Sequence, residues 1–155
     1  MRGTLLVATV CAVWAAACIE APPPAAPPAN ATIGSFEIDV YPVLVRDCGF
    51  PSCHGSRDRF FRVFAPNRTR LDPLTPIDDP PTGAEVEASF ERARSMLAGA
   101  SSPESALLVR KPLAVRAGGA PHMGIDEHGR NVYESADDPR YQVLLSWASD
   151  AWGTM

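Results

Sequence analysis

The chain's apolar and polar positions resolve into a few short helical patterns separated by long irregular stretches. Near the C-terminus, Tyr141, Leu144, Leu145, Ala148 and Trp152 mark one face of a helix. Asp138-Pro139 supplies its start, an N-cap acid followed by a first-turn proline. Between Ala84 and Leu97, the residues Val86, Phe90, Ala93, Met96 and Leu97 repeat at three- and four-residue spacing, with Gly99 just beyond, and predict a second helix. Ser101-Ser102-Pro103-Glu104 reads as a capping box, with Ser101 as cap and Glu104 reaching back to it. It leads into a short helix through Leu107, Leu108 and Val109 that stops before Pro112. Pro42, following Tyr41, is placed to open a short helix that runs to Asp47 and ends just before Gly49.

Residues 49–81 show no sustained period and are rich in Pro, Arg and Asp around Phe60, Phe61 and Phe64, so they are expected to be irregular. A Gly- and His-containing loop, AGGAPHMGIDEHG, precedes the last helix. The expected architecture is a small, loop-rich all-α domain of three to five short helices.

The first thirty residues belong to a different regime. Met1-Arg2 is followed by an uncharged apolar run from Leu5 to Ala17 that ends on Ala15-Ala16-Ala17-Cys18. A charged start, an apolar core and a small-residue cleavage site are the parts of a secretory signal, and the run is too short for a span of about 20 residues. Residues 1–17 are therefore expected to be removed. Cys18 resembles the lipid-modified first residue set by a bacterial lipobox, and Ile19 after it favours outer-membrane sorting. Acyl chains on Cys18 would anchor an exported protein to a bacterial membrane, on the periplasmic side or at the cell surface. An ordinary signal that leaves Cys18 as a plain thiol is the competing reading.

Ala21 to Thr32, APPPAAPPANAT, has no large apolar side chain and reads as an extended Pro-rich tether, so that 18–32 form a lipidated linker and 33–155 the domain. Asn-x-Thr sequons at Asn30 and Asn67 imply glycosylation only in a eukaryotic host, against which the lipobox argues. Removing Arg2 with the signal leaves 13 basic against 18 acidic residues, a formal charge of −5, which disfavours nucleic acid as a partner. Arg57, Arg59, Arg62, Arg68 and Arg70, interleaved with Asp58, read as a solvated face rather than a site. With no nucleophile–base pair, phosphate loop or paired carboxylates in view, an electron carrier is favoured over an enzyme.

Cys11 leaves with the signal and Cys18 serves the anchor, so the domain keeps Cys48 and Cys53 in the string CGFPSCHG. Three chemistries compete for it. Both thiols can add to haem vinyl groups as thioethers while His54 ligates the iron; the usual spacing is C-x-x-C-H, so two extra residues would have to loop outward. The thiols can instead form a Cys48–Cys53 disulfide in an oxidising compartment, leaving a non-haem binding or structural module. Zinc held by Cys48, Cys53, His54 and either His122 or His128 is the third, although adjacent Cys53 and His54 fit one ion awkwardly.

Three segments carry a wider likeness: VYPVLVRDCGFPSCHGS, SPESALLVRKPL, and GGAPHMG followed by DDPRYQVLLSWASDAWG. In order and spacing they resemble the c-type cytochrome-like domains of exported bacterial proteins along nearly the whole mature length. The resemblance implies a cytochrome-c-like fold, covalent haem c on Cys48 and Cys53, iron bound by His54, and electron exchange with redox partner proteins. It also implies a second axial ligand, His122 or Met123, with His128 and Met96 behind them. A distal methionine occupies the position of Met123 in class I cytochromes, whereas the loop histidine is the more regular feature of the resembling domains. His128, within polar DEHGR, reads as solvent-exposed.

Overall fold

A computed structural model describes residues 25–122 and 132–153. The signal segment, Cys18, Met123 and His128 lie outside the described residues. The architecture is all-α, and among the described residues the only extended pairing is a single parallel bridge between Leu113 and Tyr133. None of the described helices is long and apolar enough to cross a membrane.

The first helix begins well before the proline that was expected to open it. A turn α1 (Ile33–Ser35) passes into a π-helical turn (Phe36–Val40) and then into α2 (Tyr41–Asp47). Pro42 has no N–H to donate and its ring crowds the preceding turn. The wider π turn, in which the Tyr41 N–H reaches the Phe36 carbonyl, accommodates it without ending the helix. Phe36, Val40 and Leu44 then fall one above the other and are all buried.

Helix α3 (Gly83–Ser95) starts at Thr82, whose hydroxyl accepts from the Glu85 N–H while Glu85 reaches back to the Thr82 N–H. The next cap lies one residue later than its sequence signature suggests. Ser102 and Ser105, rather than Ser101 and Glu104, close the reciprocal pair around a 3₁₀ turn (Pro103–Ser105) that leads into α4 (Leu107–Arg110). A second 3₁₀ turn (Val115–Ala117) follows, and α5 (Pro139–Trp152) closes the fold with Asp138 as its N-cap, accepting from the Arg140 N–H.

Tyr141, Leu144, Trp147, Ala148 and Ala151 of α5 are buried. Trp147 packs edge-on against Phe90 and tilted against Phe36, so α5, α3 and the first helix share one aromatic centre. The irregular stretch between α2 and α3 is pinned by one buried ion pair. Arg70 and Glu85, 3% and 1% exposed, meet through two 2.8 Å bonds, and the Arg70 guanidinium also donates to the carbonyls of Pro76, Asp79 and Pro80. Arg70 therefore leaves the solvated face on which its sequence neighbours place it. Ala26, Pro28, Ala29 and Asn30 line a cavity of about 380 Å³ together with Leu97, Gly99, Ala151 and Trp152, near the ends of α3 and α5.

Candidate functional site

The site is assembled from two loops, one leaving α2 and one leaving α4. At the end of α2, the N–H groups of Cys48 and Gly49 both donate to the Leu44 carbonyl, at 3.0 and 2.8 Å, and turn the chain off the helix. Cys53 N–H and Gly55 N–H then both donate to the Phe50 carbonyl, and His54 N–H donates to that of Cys48. This knot makes the four-residue spacer project: Phe50, Pro51 and Ser52 are exposed, whereas Cys48 is buried and Cys53 half-buried. Gly55 is required by close approach, because a Cβ there would sit 2.1 Å from the Gly49 carbonyl oxygen.

Both thiols are free, and backbone hydrogen bonds order the loop between them. Burial, with smaller contributions from the Asp47 and Cys53 charges, pushes the Cys48 thiol up to about 12.

His54 is locked on one side. Its Nδ1 lies 3.0 Å from the Phe61 carbonyl oxygen, and its ring meets that of Phe61 edge-on at 4.8 Å. A carbonyl only accepts, so Nδ1 carries the proton and the lone pair resides on Nε2. A metal-ligating imidazole needs this arrangement, with the outer N–H donated to a fixed acceptor and the inner nitrogen unprotonated. Burial is the main reason that His54 is held below its ordinary pKa, which keeps the ring neutral at physiological pH.

The second loop brings His122 to it. Ala120 N–H donates to the Arg110 carbonyl at 3.0 Å, Lys111 Nζ donates to the Pro121 carbonyl at 2.8 Å, and Gly119 passes so close to Leu113 that a Cβ would sit 1.8 Å from its oxygen. The half-buried His122 ring then faces His54 with centroids 5.8 Å apart and planes within 13° of parallel. Burial first, then the charges of His54, Lys111 and Arg59, lower the His122 pKa, so both rings favour the neutral form.

That spacing has a stereochemical meaning. An imidazole nitrogen lies about 1.1 Å from its ring centroid and binds a transition metal at about 2.0 Å, so two imidazoles on opposite sides of one ion have centroids about 6.2 Å apart. The observed separation is 5.8 Å, but the pair is stacked, whereas binding one ion from opposite sides requires that ion to lie in both ring planes, so one ring has to turn for both to reach it. Among the described residues no three of His, Cys, Asp and Glu are grouped so as to hold a metal ion. The donor set is two opposed neutral imidazoles with two free thiols on the same loop as one of them. Two thiols and two imidazoles on adjoining loops are the side-chain types that a covalently attached, metal-bearing macrocycle would need. Met96, the reserve candidate, is half-buried at the end of α3 and packs against the core.

Sequence reasoning missed a polar cluster behind the Cys48–His54 loop. Asp47, directly before Cys48, accepts from the Tyr133 hydroxyl at 3.0 Å and from Arg140 at 3.2 Å, and is itself largely buried. Tyr133 is fully buried, and its phenol is pushed far up by burial and by the nearby Cys48 and Asp47, so it acts as a donor. These groups come from segments some ninety residues apart, and no local pattern announces them. Of the large apolar residues, Leu97, Leu108 and Trp147 belong to the core, whereas Phe60 is 69% exposed beneath the Arg92 guanidinium, and Leu107 is also exposed.

Comparison with protein-family models, with curated proteins and with solved structures gave no match.

Proposed function

We propose that this chain is a c-type haem protein, tethered to a bacterial membrane through a lipidated Cys18, that carries electrons between partner proteins in the periplasm or at the cell surface. In this reading Cys48 and Cys53 hold haem c covalently, His54 is the proximal iron ligand and His122 the distal one. The observation that carries it is the facing pair of neutral histidines at 5.8 Å, one of them fixed through Nδ1 to a backbone carbonyl. The bound group would supply a reversible one-electron couple. The chain's own part is to keep both imidazoles neutral and close together, with the Nδ1 proton of His54 committed to the Phe61 carbonyl. Two imidazole ligands, rather than imidazole and thioether, place the potential in the lower part of the cytochrome range. His122 precedes Met123 as ligand because its ring already faces His54.

The test is to express the full chain in a host with c-type haem maturation, then record its intact mass under denaturing conditions and its reduced absorption spectrum. A gain of one haem mass that survives denaturation, with a low-spin c-type α-band lost in His54→Ala, supports the proposal. A haem-free mass short by two hydrogens would instead establish a Cys48–Cys53 disulfide and refute it.

A further inference from the structure

The segment Arg110–Ala114 touches both ends of the loop that carries His122. The Arg110 carbonyl receives the Ala120 N–H, and the Leu113 carbonyl sits over Gly119. At the other end, the Pro112 carbonyl receives the Tyr133 N–H while the Ala114 N–H donates to the Tyr133 carbonyl. All of these contacts are made by backbone and would survive most substitutions. One side chain joins them. Lys111 Nζ donates at 2.8 Å to the Pro121 carbonyl, the acceptor of the peptide that leads directly into His122. Proline lacks an N–H, so Pro121 cannot itself donate a backbone hydrogen bond to hold this stretch. The carbonyl is its only backbone handle, and an ammonium on a long stem reaches it.

We infer that Lys111 is a positioning residue for the distal ligand: its ammonium holds the Pro121–His122 peptide so that the His122 ring faces His54. The inference rests on the proposed haem reading and deepens it, assigning a role to the lysine of the SPESALLVRKPL segment that neither composition nor helical pattern explains. Without that bond the peptide keeps its Ala120 anchor but is free to rotate beyond it, so His122 spends more time away from the axial position.

The test uses the full chain and its Lys111→Met, Lys111→Arg and His122→Ala variants, produced in a host with c-type haem maturation and matched for covalently bound haem by denatured mass. The reduced proteins are mixed with carbon monoxide, which binds only when the distal position is vacated, and their high-spin fraction is read from the spectrum. Lys111→Met should bind carbon monoxide about threefold to tenfold faster than wild type, the modest size reflecting a charged hydrogen bond that is partly solvent-exposed. Lys111→Arg, which keeps a long cationic donor, should restore most of the wild-type rate, and it carries the comparison if Lys111→Met does not fold. Combining Lys111→Met with His122→Ala should add nothing to His122→Ala alone.

A wild-type rate in Lys111→Met beside a raised rate in His122→Ala overturns the role of Lys111 and leaves the haem reading intact. Should Lys111→Arg alone be available, a rate as high as that of His122→Ala counts against the inference. Absence of bound haem, or a His122→Ala spectrum identical to wild type, overturns the distal-ligand reading and this inference with it.

Discussion

Replacing Gly55 with alanine tests whether the loop bearing both thiols and His54 is held by close backbone packing. The added Cβ would lie 2.1 Å from the Gly49 carbonyl oxygen and 3.0 Å from its carbon, while the 2.9 Å contact with Arg68 Cδ can be relieved by a flexible side chain. Separation of at least about 1 Å has to be found between two backbone segments. Gly55 cannot yield freely, because its N–H is bonded to the Phe50 carbonyl and its carbonyl receives the Thr69 N–H. Overpacking of this kind costs about 1–3 kcal/mol, and distorting one flanking hydrogen bond adds about 1 kcal/mol, so a loss near 3 kcal/mol is expected. Gly34 is the control: it lies in α1 with nothing within 4 Å of a built Cβ, and alanine there should gain about 0.4–1 kcal/mol. Urea unfolding followed by tryptophan fluorescence measures both, with the slope expected to be unchanged. If Gly55→Ala lies within about 0.5 kcal/mol of wild type at equal slope, the steric argument for the glycine that follows His54 is wrong.

Other consequences follow from the polar contacts. Tyr133→Phe removes a donor from the buried Asp47 carboxylate while leaving Arg140 in place, and should cost about 1–2 kcal/mol in urea unfolding; coupling to Arg140 is measurable by a double-mutant cycle. The Arg70 hydrogen bonds depress the Glu85 carboxyl from its ordinary 4.5 to about 2. The unfolded state therefore takes up this proton first, so the stabilisation is complete above about pH 4.5 and is lost as pH falls toward 2. Unfolding midpoints across that window should flatten in Glu85→Gln. Thr82→Ala deletes the α3 cap and should cost about 1 kcal/mol, read as a fall in the urea midpoint.

Legibility in the sequence tracked how local each determinant is. Helix α5 was readable because its cap, its first-turn proline and its apolar face all lie within fifteen consecutive residues. The start of the first helix was misread because Pro42 is compatible with both a helix opening and a π turn. Phe36, Val40 and Leu44, spaced by four, were the signal that distinguishes them. The α3 capping box Thr82-x-x-Glu85 is equally visible in the sequence, whereas Ser101 and Ser102 are adjacent potential caps that differ only in the geometry around Pro103. Within the arginine run, Arg70 looked like its solvated neighbours because the partner that buries it lies fifteen residues away, across an irregular stretch.

The candidate site shows the same division between chemistry and placement. Cys48, Cys53, His54 and His122 could be named from residue type and order, because thiol and imidazole chemistry is written in side chains. What fixes the His54 ring is the Phe61 carbonyl, and what brings His122 to it is the run of carbonyls and N–H groups from Arg110 to Ala114, together with one lysine. Backbone groups have no identity in a sequence, so supports built from them cannot be found by inspecting residue types. The glycines are its visible trace. Gly55 and Gly119 stand where a Cβ would strike a carbonyl oxygen, each within three residues of a histidine of the pair. A glycine pressed against backbone beside a ligand-type residue therefore carries positional information that the histidine alone does not. It explains why the two short Gly/His motifs of this chain come together in space although sixty-odd residues separate them.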